Sequence, residues 1–164
     1  MAQKKKKKKK SSKEEVSGIK IICKNNKARF SYQLQDNFEA GVVLTGSEVK
    51  SLRLGKANLS DAYGDIRNGE AFLVQANIQP YEKGGYTNHE PKRPRKLLVH
   101  KQELKWLTGK IQVKGMALVP LKMYFKQGKV KVEMALGSGK KNPDKRQALK
   151  ERDLDRDMNR ALKK

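Results

Sequence analysis

Two clusters of residues in this chain have the types and spacing to grip a polyanion. The first is Gly139-Lys140-Lys141-Asn142-Pro143-Asp144-Lys145-Arg146, a glycine-led basic run broken by one acid. The second is Asn25-Asn26-Lys27-Ala28-Arg29-Phe30-Ser31-Tyr32, where basic and aromatic side chains interleave. Lysine and arginine neutralise phosphates, and aromatic rings stack on bases, so both patterns fit RNA. Read as a strand, the second cluster places Phe30 and Tyr32 on one face, which also suits core packing. A third group, Lys92, Arg93, Arg95 and Lys96, lies in and just after a long loop rich in glycine and proline. It reads either as a phosphate-contacting edge or as a solvated connector.

The whole composition agrees with a polyanionic partner. There are 39 Lys and Arg against 17 Asp and Glu, a formal net charge of +22. Each phosphate neutralised releases condensed counterions, so such binding depends steeply on salt. Signals for catalysis are sparse. His89 and His100 are the only histidines, and no HExxH, P-loop or nucleophile motif accompanies them. Asp61, Asp65, Glu39 and Glu48 could in principle hold a metal for phosphodiester hydrolysis, but acids scattered over turns and helices usually serve as caps and surface ion pairs.

These residues must be positioned by a single modest domain, because 164 residues at 36% hydrophobic and 34% charged cannot all be buried. The apolar period is mostly two. Phe72, Val74, Ala76 and Ile78 predict a strand with one buried face, as do Val130, Val132, Met134 and Leu136. Ile19 to Cys23, Gly41 to Leu44 and Met116 to Phe125 read similarly, with Asn68-Gly69 and Gln127-Gly128 as hairpin turns. Ser47 to Leu54 predicts a short helix stopped by Gly55, and His100 to Thr108 another, stopped by Gly109. No long regular crossover helices appear. The expected fold is therefore mainly β, an OB-like antiparallel β-barrel with inserted short helices.

The ends read differently. Residues 1–18 include seven consecutive lysines and predict a disordered basic tail; residues 19–137 make the barrel; residues 138–164 make a second basic tail, disordered when free. Leu154, Met158, Ala161 and Leu162 stand at helical spacing, which predicts folding on a partner that supplies a surface. No apolar stretch follows the basic start as a secretory signal requires, and no run reaches the roughly 20 apolar residues of a membrane span. Cys23 is the only cysteine, which excludes an intramolecular disulfide and fits a cytoplasmic setting.

Several motifs together resemble one family. Phe38-Glu39-Ala40-Gly41, the stretch Gly46 to Asp61, Gly69-Glu70-Ala71-Phe72, Asn88-His89-Glu90-Pro91, Arg95 to Lys101 and the Gly139 to Arg146 cluster, with Asn25 to Tyr32, are similar to the SsrA-binding (small protein B) family over about Ile19 to Asp153. The resemblance implies an OB-like barrel that binds the tRNA-like domain of transfer-messenger RNA in bacterial trans-translation. It implies contacts at Asn25, Glu39 and Leu98, with Lys27 and Arg29 as neighbouring cations. It further implies that Gly139, Lys140, Lys141, Asp144, Lys145 and Arg146 reach the decoding centre of a stalled ribosome, the tail standing in the empty mRNA channel. Elongation factor Tu is the implied co-partner, no cofactor or membrane is involved, and the protein is a monomer. Pro143 stands where the family commonly has a ring-bearing residue, and Leu154 where an aromatic can occur. The alternative reading is a general OB-fold single-strand or ribosome-associated RNA-binding protein.

Overall fold

The period-two runs become strands, and every pairing between them is antiparallel. The computed structural model describes residues 18–112 and 115–140. In chain order these form β1 (Ile19–Lys24), α1 (Asn26–Ser31), β2 (Tyr32–Val42), α2 (Gly46–Arg53), β3 (Ala57–Asn58), β4 (Tyr63–Arg67), β5 (Glu70–Val74) and β6 (Asn77–Ile78). A 3-10 turn at Gly85–Thr87, β7 (Arg95–Leu98), α3 (Lys101–Ile111), β8 (Met116–Lys126) and β9 (Lys129–Gly139) follow.

Both predicted hairpin turns form as expected. Asn68 and Gly69 have φ of 50° and 73°, and Gln127 and Gly128 have 50° and 75°. Two successive positive φ values match the right-handed twist of the strands they join, which is why a glycine follows Asn68 in one turn and Gln127 in the other. The hairpins β4–β5 and β8–β9 are then linked into a ring, β8–β4–β5–β7–β2–β9 and back to β8, with β1 along the second half of β8. This is the OB-like arrangement the sequence predicts. Closure at β4 needs a glycine: Gly64 faces Leu118 in the register, and a Cβ there would stand 2.6 Å from Leu118 Cβ and 2.9 Å from Met134 Cε.

The ring encloses the main core. Leu73, Leu118, Met123, Val132, Met134 and Leu136 are each at most 1% exposed. Burying one such side chain stabilises by about 1.5–3 kcal/mol. A second, smaller cluster lies where α1 covers the sheet's other face, with Ala28 against Val119, Leu121 and Ala135 and with Tyr32 and Leu34 at its edge.

Several expectations need correction. Asn26–Ser31 is a helix, so Phe30 and Tyr32 do not share a strand face. The strand expected through Ile78 breaks at Gln75, whose φ is 59°; before the break Leu73 faces the core while Phe72 is half-buried. α2 begins at Gly46, one residue before the expected start, and is capped by Thr45, whose N–H donates to Glu48 Oε2 at 2.7 Å; Gly55 with φ 73° ends it as predicted. α3 continues through Gly109 to Ile111. Finally, β9 carries Gly139 opposite Tyr32, and the Lys140 N–H donates to Ser31 O at 3.0 Å, so the strand outlasts the expected boundary at residue 137. Lys141, Asp144, Lys145, Arg146 and Leu154, like residues 1–17, lie outside the described residues.

Candidate nucleic-acid interface

The outer face of β2 carries the first candidate surface. Ala40 is fully buried, so its neighbours Glu39 and Gly41 point outward. The register puts Gly41 opposite both Lys131 and Leu98. Around Glu39 three donors converge. The Tyr124 O–H donates to Oε2, Lys126 Nζ lies 3.1 Å from the same oxygen, and Lys131 Nζ lies 3.5 Å from Oε1. Lys122 sits over the Tyr124 ring at 5.7 Å from its centroid and pairs with Glu133 at 2.7 Å. The Tyr124 hydrogen bond above all, then the charges of Lys126 and Lys131, hold Glu39 below the ordinary carboxylate range against the opposing effect of burial. Burial first, and then the bond to Glu39, push the Tyr124 phenol far up.

Leu98 stands 57% exposed beside this network. A groove of about 430 Å³ runs between it, Gly41, Val42, Leu44, Lys129 and Lys131. A Cβ on Gly41 would come within 3.2 Å of Leu98 Cβ, so the glycine lets the leucine lie flat over β2. An exposed apolar side chain flanked by lysines suits a sugar or base face with phosphates at either side. The structure thus joins Glu39 and Leu98 through Lys131, and adds Tyr124 and Lys126, which the sequence did not single out.

Asn25, Lys27 and Arg29 belong to a second surface, around α1. Lys27 is exposed and lies 3.3 Å from Asp61, and Arg29 is exposed. Lys27 borders a groove of about 380 Å³ lined by Ser31, Tyr32, Asp61 and Tyr63. Asn25 differs from both. It is 6% exposed, and its amide is committed: Oδ1 accepts from Ala28 N–H at 3.1 Å, while Nδ2 donates to Leu59 O and Pro120 O, each at 3.0 Å. It caps α1 and ties that helix to two distant segments. In this structure Asn25 is a positioning residue for Lys27 and Arg29.

The loop group divides. Lys96 is exposed and pairs with Glu70, and Lys92 is exposed. Arg95 must be corrected: its side chain is completely buried, so it faces no RNA. Its Nε donates to Glu48 Oε1 at 2.8 Å, Nη1 to Ala76 O at 2.6 Å and Nη2 to Pro91 O at 2.9 Å. Arg93, partly exposed, donates from Nη2 to Glu48 Oε2 at 2.6 Å. Burial pushes the Glu48 carboxyl up, but the bonds from Arg93 and Thr45 and the charge of Arg95 outweigh it and hold the pKa down at about 2. The cluster pins the loop to α2. His89 helps, with Nδ1 3.0 Å from Ser47 Oγ and Nε2 3.0 Å from Ile78 O. A signal for Arg95 was present, since it shares strand parity with buried Leu97.

The four acids considered for a metal are apart and engaged: Glu39 and Glu48 as above, Asp61 with Lys27, and Asp65 with Arg67. Among the described residues no group of three or more His, Cys, Asp or Glu could hold a metal, and no helix is long and apolar enough to cross a membrane.

A closed antiparallel ring with lysine-lined grooves, followed in the sequence by a basic run from Lys140, is a mainly β protein of the kind suited to RNA. The family model described as SmpB protein matches residues 22–164. The SsrA-binding protein of Nostoc punctiforme is 54% identical over 147 residues, covering 89% of this chain and 95% of that one. That of Syntrophobacter fumaroxidans is 53% identical over 145 residues, covering 88% and 90%. A solved chain described as "tmRNA-SmpB: a journey to the center of the bacterial ribosome" is 42% identical with a TM-score of 0.64, covering 81% of this chain and 95% of that one. The chain belongs to the SmpB family.

Proposed function

We propose that this protein is an RNA-binding adaptor of trans-translation, which binds the tRNA-like domain of transfer-messenger RNA and brings it to stalled ribosomes. The observation that carries this reading is the match, over 81% of the chain, to a solved relative described together with that RNA and the bacterial ribosome. In this reading the ring holds the RNA. Glu39 with Tyr124, Lys126 and Lys131, the apolar Leu98, and Lys27 and Arg29 on α1 form its contacts, with Lys96 and the partly exposed Arg93 at the periphery. Asn25 acts through α1.

The segment that follows Gly139 and Lys140 in the sequence is assigned to the ribosome. Lys141, Asp144, Lys145 and Arg146 would reach the decoding centre, with Leu154 further along, in an mRNA channel that is open only when mRNA is missing. Such a device senses vacancy, because a filled channel excludes the segment. Elongation factor Tu would accompany the charged RNA, and the protein would act as a cytoplasmic monomer.

The test uses the full chain and three RNAs: a transcript of the tRNA-like domain, an ordinary tRNA and a same-length single strand, each titrated across salt. Selective binding of the first that persists as salt rises is expected. Triple substitution of Asp144, Lys145 and Arg146 by alanine should leave that binding intact and abolish tagging of stalled products. Equal and equally salt-sensitive binding to all three RNAs overturns the reading in favour of a general OB-type RNA binder, since phosphate contacts alone give no selectivity.

A further inference from the structure

α3 buries only one side. Leu104, Leu107 and Ile111 face the ring, Leu107 without any exposure. At about 100° per residue, the opposite arc carries Lys101 and Lys105 on one flank, Trp106 and Lys110 on the other, and Gln102 and Gly109 between them. Three features of this arc have no explanation within the fold. Trp106, the sole tryptophan of the chain, is 43% exposed. Lys110 Nζ lies 5.7 Å from the Trp106 ring centroid, on an indole that still keeps much of its surface exposed. Gly109 sits inside the helix, with φ outside the left-handed region, and an added Cβ would meet nothing within 4 Å. Among the described residues neither a turn nor a close neighbour requires that glycine, and it weakens the helix relative to alanine.

A glycine without an internal reason, between lysines and an exposed indole, is what close approach of an external chain would use. The charge says which kind of chain. α3 exposes Lys101, Lys105 and Lys110 against one acid, Glu103, whose Oε2 accepts from the His100 N–H at 3.3 Å as part of the helix cap. A membrane surface fits less well, because the apolar stripe of α3 is turned inward and a helix lying on lipid must present that stripe outward. The arc also begins three residues after Leu98, the last residue of β7, whose side chain belongs to the candidate interface.

We infer that the outer face of α3 is a second RNA-docking surface, extending the contact that begins at Leu98. Lys101, Lys105 and Lys110 neutralise phosphates, Trp106 stacks on a base or ribose, and Gly109 admits the sugar-phosphate chain to the helix surface. Lys101 and Lys110 are about 14 Å apart along the axis, enough to track a short stretch of strand. The inference rests on the adaptor reading for the identity of the RNA.

Because Trp106 is the only tryptophan, its emission reports on this face alone. The full chain would be titrated with the labelled tRNA-like transcript while RNA mobility, tryptophan emission and acrylamide quenching are followed in parallel. Binding should quench the emission and shield Trp106 from acrylamide. Gly109→Ala should raise the melting temperature yet weaken binding, and Trp106→Ala should weaken it by about tenfold, as loss of a stacked base does. Lys105→Ala should make the salt dependence shallower by roughly one phosphate contact.

Retained RNA mobility shift with unchanged emission, unchanged acrylamide access and a Gly109→Ala affinity equal to the unsubstituted chain would overturn the α3 surface and leave the adaptor reading standing. Absence of any shift with the unsubstituted chain would overturn the adaptor reading itself. Emission that responds to phosphatidylserine vesicles and not to RNA would reassign the face to membrane, and a Trp106 already shielded in the free chain would mean that the protein's own chain covers it.

Discussion

Replacing Asn25 by alanine separates building the RNA surface from touching RNA. The substitution removes the acceptor for the Ala28 N–H and the donor to Leu59 O and Pro120 O, all in a site only 6% exposed. Each buried carbonyl left without its donor costs about 1 kcal/mol, and loss of an N-cap about 1 kcal/mol more. The sum is about 3 kcal/mol, a large part of the 5–15 kcal/mol that holds a typical domain together. In urea unfolding this should appear as a midpoint lowered by roughly 1–3 M at unchanged slope. Asn25→Asp keeps the cap acceptor but turns an acceptor toward two carbonyls, so it should be destabilised at neutral pH as well. RNA affinity, measured well below the transition, should fall less than stability does. An unchanged urea midpoint together with a large loss of RNA affinity would refute the argument and make Asn25 a direct contact.

Substitutions at two further positions probe the frame. Glu48→Ala strands the fully buried Arg95 charge and should destabilise the fold by about 3–5 kcal/mol in urea unfolding. The same carboxyl sets an acid limit: its pKa is depressed to about 2 from an ordinary 4.5, so its contribution is complete above about pH 4.5 and is lost as the pH falls toward 2, which unfolding followed across that range should display and Glu48→Gln should abolish. Gly64→Ala forces a Cβ against Leu118 and Met134 and should destabilise by about 1–3 kcal/mol, read by thermal unfolding.

What the sequence conveyed and what it hid follow from where the signals lie. Val130, Val132, Met134 and Leu136 alternate because β9 has one face on the main core, and all four are buried as expected. Where a sheet is covered on both faces, alternation vanishes: Leu118, Val119 and Leu121 of β8 are all buried because α1 packs over the outside. α1 itself is only six residues long, too short to display a helical period, and its one local sign was Asn25 as a cap. The first half of β2 is polar and went unread. Arg95 and Glu48 lie 47 residues apart, and Glu39 and Tyr124 lie 85 apart, so neither pair leaves any spacing to recognise. Exposed lysines were identifiable by type and Leu98 only through the family resemblance, whereas their grouping depends on strand register.

That register also explains why an acid stands in a basic surface. Glu39 draws Tyr124, Lys126 and Lys131 to one point, and lysines fixed before binding lose less conformational freedom when they meet phosphate. Attraction and preorganisation then pull in opposite directions. Glu39→Gln adds one unit of positive charge, which should strengthen indiscriminate binding to single strands at low salt. It also releases Lys126 and Lys131, which should weaken binding to the tRNA-like transcript by about tenfold, or ~1.4 kcal/mol. Tyr124→Phe keeps the charge and removes one donor, so it should raise the Glu39 pKa, as seen by carboxyl NMR titration, and weaken only the transcript. If Glu39→Gln instead strengthens binding to every RNA alike, the carboxylate is merely an unfavourable charge and the organising role assigned to it fails.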